Sequence, residues 1–374
     1  MILNRAIKMR IYPDDEQRHK IDVTLGHCRY IYNKMLERNN AIYKRRNEHL
    51  NYYAMQNLLP EMKKYLPWLK DADSQALKYT CRQLNVAFDR FFKKLGAYPK
   101  FRTKHGKQSY TTTSVNTICV ESHKVKLPCV GWIRTPETRI PDGSICYATV
   151  SLETDDRYYV SITYKKEVPD ITPVAPKPEN VLGLDYKSDG LYTDSNGHTE
   201  DIPHFYREAQ RKRTKLQRRL SKKQGSRKGE RKSMNFMKQL RKVNRQSTHI
   251  ANQRKDYLHK LSNEIANRYN AVCVEDLDMK AMSNKGFGNG KATMDNGYGM
   301  FQNMLSYKLK ERGKHLVVVD KWYPSSQLCH CCGHRQKMPL KIRVYQCQEC
   351  GMVFDRDWNA AINIKMEGLR LLSA

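Results

Sequence analysis

Two Cys-x-x-Cys knuckles, Cys329-His-Cys-Cys332 and Cys347-Gln-Glu-Cys350, each followed by Gly, are separated by fourteen residues. Four thiolates in this pattern close tetrahedrally around one Zn²⁺, and the glycines permit the tight turns. A closed set of four leaves no open coordination position, so the ion is expected to be structural. His330 and Cys331 sit within the first knuckle as competing donors. Carboxylates make the second pattern. Val181-Leu-Gly-Leu-Asp185 and Ala271-Val-Cys-Val-Glu275 are apolar runs that each end in an acid, and Asp355-Arg-Asp357-Trp-Asn-Ala-Ala begins a helical stretch. Acids at the ends of buried strands are costly unless they pair or bind metal. Three of them can seat two Mg²⁺ or Mn²⁺ ions about 3.5–4 Å apart, an arrangement that hydrolyses phosphodiesters. Taken singly, each acid is an ordinary turn former or helix cap, and Asp276 and Asp278 compete with Glu275. Only the three together point to chemistry.

The elements that must position these groups are legible in the periodicity. Residues 1–12 alternate toward their end as a strand does, and Pro13 stops it. Residues 15–95 read as helices. Ile21, Leu25, Cys28, Tyr32 and Met35 form one stripe; Leu77, Cys81, Leu84, Phe88 and Phe91 form another, with Ser74 as its expected cap. Residues 97–168 turn to short β-rich runs, including a hairpin of Cys146–Leu152 with Tyr158–Tyr164. With the first strand they suggest a small β-barrel interrupted by the helical block. Four prolines in 169–179 mark a linker. The apolar strands ending in Asp185 and Glu275 read as central strands of a second, α/β domain. In the last helix Ala360, Ile364 and Leu371 are expected to pack inward.

Charge narrows the partners. Lys and Arg number 68 against 38 Asp and Glu, a net charge of +30. A compact chain repels itself at that charge, and a polyanion is the natural counterweight. Nucleic acid fits best. No apolar run approaches the ~20 residues that span a bilayer, and Met1–Pro13 lacks the apolar core of a secretion signal. Eleven cysteines, an odd number, argue for reduced thiols inside a cell. A cytoplasmic protein, nucleoid-associated when bound, is therefore expected. Residues 207–245 hold 17 Lys and Arg against 2 Glu, about half the net charge in a tenth of the chain. A merely solvated helix mixes its signs, so this run is expected to contact phosphates, with Lys212, Arg213 and the later Arg254 among the contacts. Residues 286–290, Gly-Phe-Gly-Asn-Gly, read as a flexible loop, either a lid or a plain connection.

Together these residues resemble the TnpB family, the compact RNA-guided nucleases of bacterial insertion sequences, related to type V CRISPR effectors. The resemblance runs through Ala87-Phe88, Phe91-Phe92, Tyr98-Pro-Lys-Phe101, Gly183-Leu-Asp185, Arg254-Lys-Asp256-Tyr-Leu-His259-Lys260 and Val274-Glu-Asp-Leu277. It continues with Tyr307-Lys308, Pro324-Ser-Ser326, both Cys pairs and Asp355-Arg-Asp357-Trp-Asn359. It implies an α/β multi-domain protein. A wedge β-barrel would occupy 1–13 and 96–170, with a helical recognition domain at 14–95 and a linker at 171–179. An RNase H-like (RuvC) nuclease domain would occupy 180–324 and 354–374, with a zinc ribbon inserted at 325–353. The implied activity is Mg²⁺-dependent cleavage of DNA, with Asp185, Glu275 and Asp357 as catalytic residues and Asp355 in reserve. The implied partners are a structured guide RNA and double-stranded DNA beside a short target-adjacent motif. By analogy, Tyr52, Ser74, Lys78 and Arg82 would meet that motif. A silent DNA-binding repressor and a strand-transfer enzyme are the rival readings, and a monomer and a homodimer fit the sequence equally.

Overall fold

The computed structural model describes residues 1–374 except 228, 285–289, 340 and 374. Most of the Gly-rich loop at 286–290 lies outside the described residues; its last member, Gly290, opens a helix. The chain folds as two compact units, Met1–Pro169 and Asp170–Ala374.

In the first unit, strand β1 (Ile2–Ile11) leads into helix α1 (Asp15–Arg46), then α2 (Tyr52–Tyr65) and α3 (Ser74–Phe92). A capping box starts α1: the Asp14 carboxylate accepts from the Gln17 N–H, and Gln17 Oε1 accepts from the Asp14 N–H. The predicted stripe on α1 is buried throughout. The cap of α3 is Asp73 rather than Ser74. The Asp73 carboxylate accepts from the Gln75 N–H at 3.0 Å, and the Ser74 hydroxyl accepts instead from Lys63 Nζ at 2.7 Å. A carboxylate is favoured at a helix N-terminus by the macrodipole as well as by the hydrogen bond.

Strands β2 (Gln108–Thr112), β3 (Cys119–Glu121), β4 (Lys124–Leu127), β5 (Gly131–Arg134), β6 (Ser144–Leu152) and β7 (Tyr158–Glu167) follow. They pair as two sheets, β1-β7-β6-β2 and β3-β4-β5, linked by a bridge between Tyr12 and Arg134. The β6–β7 hairpin stands where the alternation placed it, with a register shift between Ile145 and Tyr147.

The second unit is built on strands β8 (Val181–Tyr186), β9 (Tyr192–Asp194), β10 (Thr199–Glu200), β11 (Ala271–Glu275) and β12 (His315–Val319). Their order is β10-β9-β8-β11-β12; β8, β11 and β12 run parallel, β9 returns antiparallel to β8, and β10 pairs antiparallel with β9. Helices α4 (Phe205–Ser221) and α5 (Met234–Arg268) join β10 to β11. Helices α6 (Met279–Met282), α7 (Gly290–Asn296) and α8 (Tyr298–Lys310) join β11 to β12. Strands β13 (Val344–Gln346) and β14 (Val353–Asp355) form a small ribbon, and α9 (Arg356–Ser373) closes the chain.

Both faces of the sheet are covered, which explains why its strands read as unbroken apolar runs. Leu182, Leu184, Val272 and Val274 pack with Leu258, Phe301 and Leu305 on one side. Val181, Ala271 and Cys273 pack with Ile364 of α9 on the other. Ala360 and Ile364 point inward as expected, but Leu371 is 40% exposed. The stripe drifts along α9, so Leu369 and Leu372 make the last contacts instead.

Two glycines let α9 press on the strands. A Cβ at Gly183 would meet Ala361 O at 2.2 Å, and one at Gly368 would meet Cys273 Sγ at 2.1 Å. The first clash is against backbone, and the second against the buried Cys273, whose Cβ also lies only 2.8 Å away. Gly183→Ala is expected to cost about 3 kcal/mol by overpacking. That corresponds to a drop in melting temperature of roughly 6–12 °C for a unit of this size, measurable by thermal unfolding.

Candidate functional site

Strand parity aims the acids. Side chains alternate across a strand, and Val181, Ala271 and Cys273 already face α9. Asp185 and Glu275 continue the same parity, so both carboxyls emerge on the α9 face. The parallel register sets Val274 beside Leu184 and brings the two acids to the same end of the sheet. There α9 begins, and Asp357 lies in its first turn. Asp185 is pushed well above the usual carboxylate range, by burial first and then by the charges of Glu275 and Asp357. Burial also raises Glu275, opposed by a hydrogen bond from Ser325 Oγ to Oε1 at 2.7 Å. The three predicted acids thus lie at the same end of the sheet, near enough for the Glu275 and Asp357 charges to act on Asp185.

Asp355 has another task. Its Oδ1 accepts from the Trp358 N–H at 2.9 Å and caps α9. Asp357 pairs with Arg343 Nη1 at 3.4 Å. Arg356 is buried and donates to the Pro339 and Ile342 carbonyls, while its own N–H bonds Arg343 O at 2.8 Å. The loop carrying Arg343 is therefore fastened to the start of α9. Among the described residues no Lys or Arg forms an ion pair with Asp185 or Glu275. Two half-buried acids that repel each other, with oxygen donors only, fit a hard divalent cation.

The four knuckle cysteines also converge. Their Sγ atoms lie within 4.8 Å of one another, with 3.7 Å between Cys329 and Cys350 and 3.6 Å between Cys332 and Cys347. Thiolates on a tetrahedron with Zn–S bonds of about 2.3 Å sit about 3.8 Å apart, so the set fits one zinc ion. Backbone N–H groups, that of Cys350 foremost, lower the Cys347 thiol to about 6. The two competing donors drop out. Cys331 is exposed outside the cluster, and His330 turns to α9, its N–H donating to Asn359 Oδ1 at 3.0 Å.

Asparagines on α9 lock the knuckle to the helix. Asn359 Nδ2 donates to Leu328 O at 2.7 Å, and Asn363 Nδ2 donates to Ser325 O at 2.9 Å and Leu328 O at 2.8 Å. The metal ribbon, Ser325 and the acid-bearing helix are thus one hydrogen-bonded assembly. Sequence reasoning missed Ser325, Arg343 and this use of Asn363. Pro324-Ser-Ser326 was visible as a motif without a role; nothing in the sequence singled out Arg343.

The basic run forms α4 and the first part of α5. Arg207, Arg211, Lys215, Arg218, Arg219 and Lys222 line one groove. Lys212 is exposed, and Arg213 folds back to donate to the Tyr206 hydroxyl at 3.2 Å. Arg254 is corrected: it turns inward to Asp295 at 3.0 Å, and Asp295 is 2% exposed, so this guanidinium braces α5 against α7. Lys308 is a similar strut, donating to His259 O at 2.5 Å and Ser262 Oγ at 2.8 Å. Burial lowers its pKa to about 8. In the first unit, Ser74, Lys78 and Arg82 follow at four-residue intervals along α3, while Tyr52 opens α2 half-buried against the Tyr53 ring. Among the described residues no helix is long and apolar enough to cross a membrane.

A family model described as "Cas12f1-like, TNB domain" matches residues 298–364, which hold the ribbon and the start of α9. A model described as "Probable transposase" of the OrfB IS605 type matches residues 161–285. A "Helix-turn-helix domain" model of the same type matches residues 1–48, although these residues form β1 and the single long helix α1. A Streptomyces pristinaespiralis protein named "Putative RNA-guided DNA endonuclease" is 33% identical over 98% of this chain and 90% of its own length. The Escherichia coli protein "Putative RNA-guided DNA endonuclease InsQ" is 30% identical over 99% of this chain and 93% of its own. The fold is similar to that of a chain in a cryo-EM structure of a Cas12f1-sgRNA-target DNA complex, with a TM-score of 0.61, 14% identity, and coverage of 97% of this chain and 99% of that one. Identity at this level over nearly the whole length, with both knuckles and all three acids in place, establishes that the chain belongs to the TnpB family.

Proposed function

We propose that this chain is an RNA-guided DNA endonuclease whose phosphodiester hydrolysis takes place at Asp185, Glu275 and Asp357. The observation that carries this reading is the placement of Asp185, Glu275 and Asp357, from β8, β11 and α9, so that the Glu275 and Asp357 charges act on Asp185 while, among the described residues, no Lys or Arg forms an ion pair with Asp185 or Glu275. The sheet order, with antiparallel β10-β9-β8 continuing into parallel β11 and β12, supports an RNase H-like (RuvC) nuclease domain. In this reading the two sheets of the first unit would serve as the wedge domain, and α1 to α3 as the recognition domain. The relatives' names and the Cas12f1 complex support guide RNA and target DNA as partners.

Each residue has a definite share. Asp185, Glu275 and Asp357 would hold Mg²⁺ or Mn²⁺, which when bound supplies an activated water and a counter-charge for the leaving oxygen. Ser325 fixes the orientation of Glu275 by donating to its Oε1. Arg343 pairs with Asp357 at the edge of the site. The four cysteines would hold structural zinc, which keeps Asp357 at the mouth of the site through β14 and Asn359.

The test is cleavage of a duplex matched to the RNA that copurifies with the chain, placed beside a randomised flanking motif. Cutting with Mg²⁺, giving free ends and lost in EDTA, is expected. Binding without cutting in a zinc-replete sample would overturn the reading in favour of a repressor; joined strands would favour transfer. The α4 groove has its own check. Arg211, Lys215 and Arg218 changed together to Ala should weaken RNA binding and flatten the plot of log affinity against log salt by about 3. An unchanged slope would remove this groove from the RNA path.

A further inference from the structure

Trp322 is 79% exposed, more than any other large apolar side chain described. It sits in the segment between two residues that meet Glu275. Val319, three residues earlier, is the register partner of Glu275 on β12, and its carbonyl accepts from the Asp276 N–H at 3.1 Å. Ser325, three residues later, donates to Glu275.

The turn between them is built. Asp320 Oδ1 accepts from the Trp322 N–H at 2.8 Å, and Asp320 O accepts from the Tyr323 N–H at 3.0 Å. Tyr323 packs inward beside Ile364 and donates to Asn363 O at 3.4 Å. A turn with one aromatic anchored inward holds the next one outward, in water. Lys321 Nζ lies 5.0 Å from the indole centroid, so a cation attends the ring. Leaving so large an apolar side chain in solvent forgoes the stabilisation its burial would bring. Nothing in the packing of the unit requires it.

We propose that Trp322 is a stacking platform for an unpaired base of the DNA strand being cut, with Lys321 beside it for the adjoining phosphate. A flat indole stacks on any base, so the contact tolerates sequence, as a guided nuclease requires. It needs a single strand, because a paired base hides its faces within the duplex stack. Placed three residues from the strand partner of Glu275, the stack would keep the scissile phosphate at the acids. The proposal rests on the nuclease reading above.

The test uses the full chain with its copurified RNA and three variants, Trp322→Ala, Trp322→Phe and Trp322→Leu. Base–aromatic stacking of about 1–3 kcal/mol predicts that Trp322→Ala raises KM roughly 5- to 150-fold. The kcat should stay within threefold, RNA loading and melting temperature should not change, and Phe should restore most of the loss where Leu does not. A second readout needs no cutting: an oligothymidine single strand should quench a component of tryptophan emission that Trp322→Phe lacks. Unchanged kcat/KM in Trp322→Ala, rescue by Leu as complete as by Phe, or equal quenching in wild type and Trp322→Phe would overturn the proposal. If the wild-type chain does not cut, the nuclease reading fails, and the quenching experiment still decides whether Trp322 stacks.

Discussion

Asp185→Asn abolishes cutting and, without divalent metal, makes the protein more stable. Both effects have one cause. Burial and the neighbouring Glu275 and Asp357 charges hold the Asp185 carboxyl well above its ordinary range. Its pKa in the folded chain is therefore higher than in the unfolded chain. A carboxyl shifted this way contributes its full stability below the unfolded value, near pH 4, and loses it as the pH rises through the folded value. At neutral pH the metal-free wild type bears the repulsion, and the amide does not. The expected gain is about 1–2 kcal/mol, a few degrees in melting temperature, narrowing as the pH is lowered toward 5. Mg²⁺ should reverse the order, stabilising wild type by mass action and leaving the variant unmoved. Cleavage should fall by at least about a thousandfold, the scale seen when a group acting in the transition state is removed. A variant that is less stable without metal, or that still responds to Mg²⁺, would show that Asp185 is an ordinary buried acid.

Removal of zinc gives the second large effect. Cys347→Ser breaks the four-thiol set and should abolish stoichiometric zinc, because three thiolates and a hydroxyl do not reproduce the site. The consequence reaches the acids. β14 runs directly into α9, His330 and Leu328 hydrogen-bond Asn359, and Ser325, which fixes Glu275, is tied to Asn363. Loss of the ion should therefore free Asp357 and Glu275 together. We expect cleavage to drop at least about a hundredfold, the upper range for losing support around a metal site. RNA binding through the basic α4 groove should change little. Zinc content measured by metal analysis, alongside cleavage and RNA retention, checks this. A variant with full zinc would refute the ligand set, and one without zinc but with normal cutting would refute the coupling.

The parts of this account that were legible in the sequence share a physical character. Val181–Asp185 and Ala271–Glu275 announce themselves because a strand buried on both faces admits only apolar residues, so an acid at its end stands out. The knuckles announce themselves because metal geometry fixes their spacing. What was hidden depends on contacts between distant residues. Arg343 meets Asp357, and Ser325 meets Glu275, only through the fold. Arg254 carried the right charge for phosphate, yet its partner is Asp295, 41 positions along the chain. The cap of α3 was misplaced by one residue because Asp73 and Ser74 are both good caps in isolation, and Leu371 because the 3.6-residue period drifts from a seven-residue count. In the first unit the β-rich run was readable as alternation, but its division into two sheets was not, since alternation does not say which strands pair.

The central claim is that Asp185, Glu275 and Asp357 seat divalent ions where a phosphodiester is cut. Anomalous scattering from Mn²⁺ in crystals of the RNA-bound protein measures this directly. The account predicts two peaks among the three carboxylates, about 3.5–4 Å apart, both absent in Asp185→Asn. Mn²⁺ bound elsewhere, with these carboxylates free of metal in a sample that cuts DNA, would contradict it.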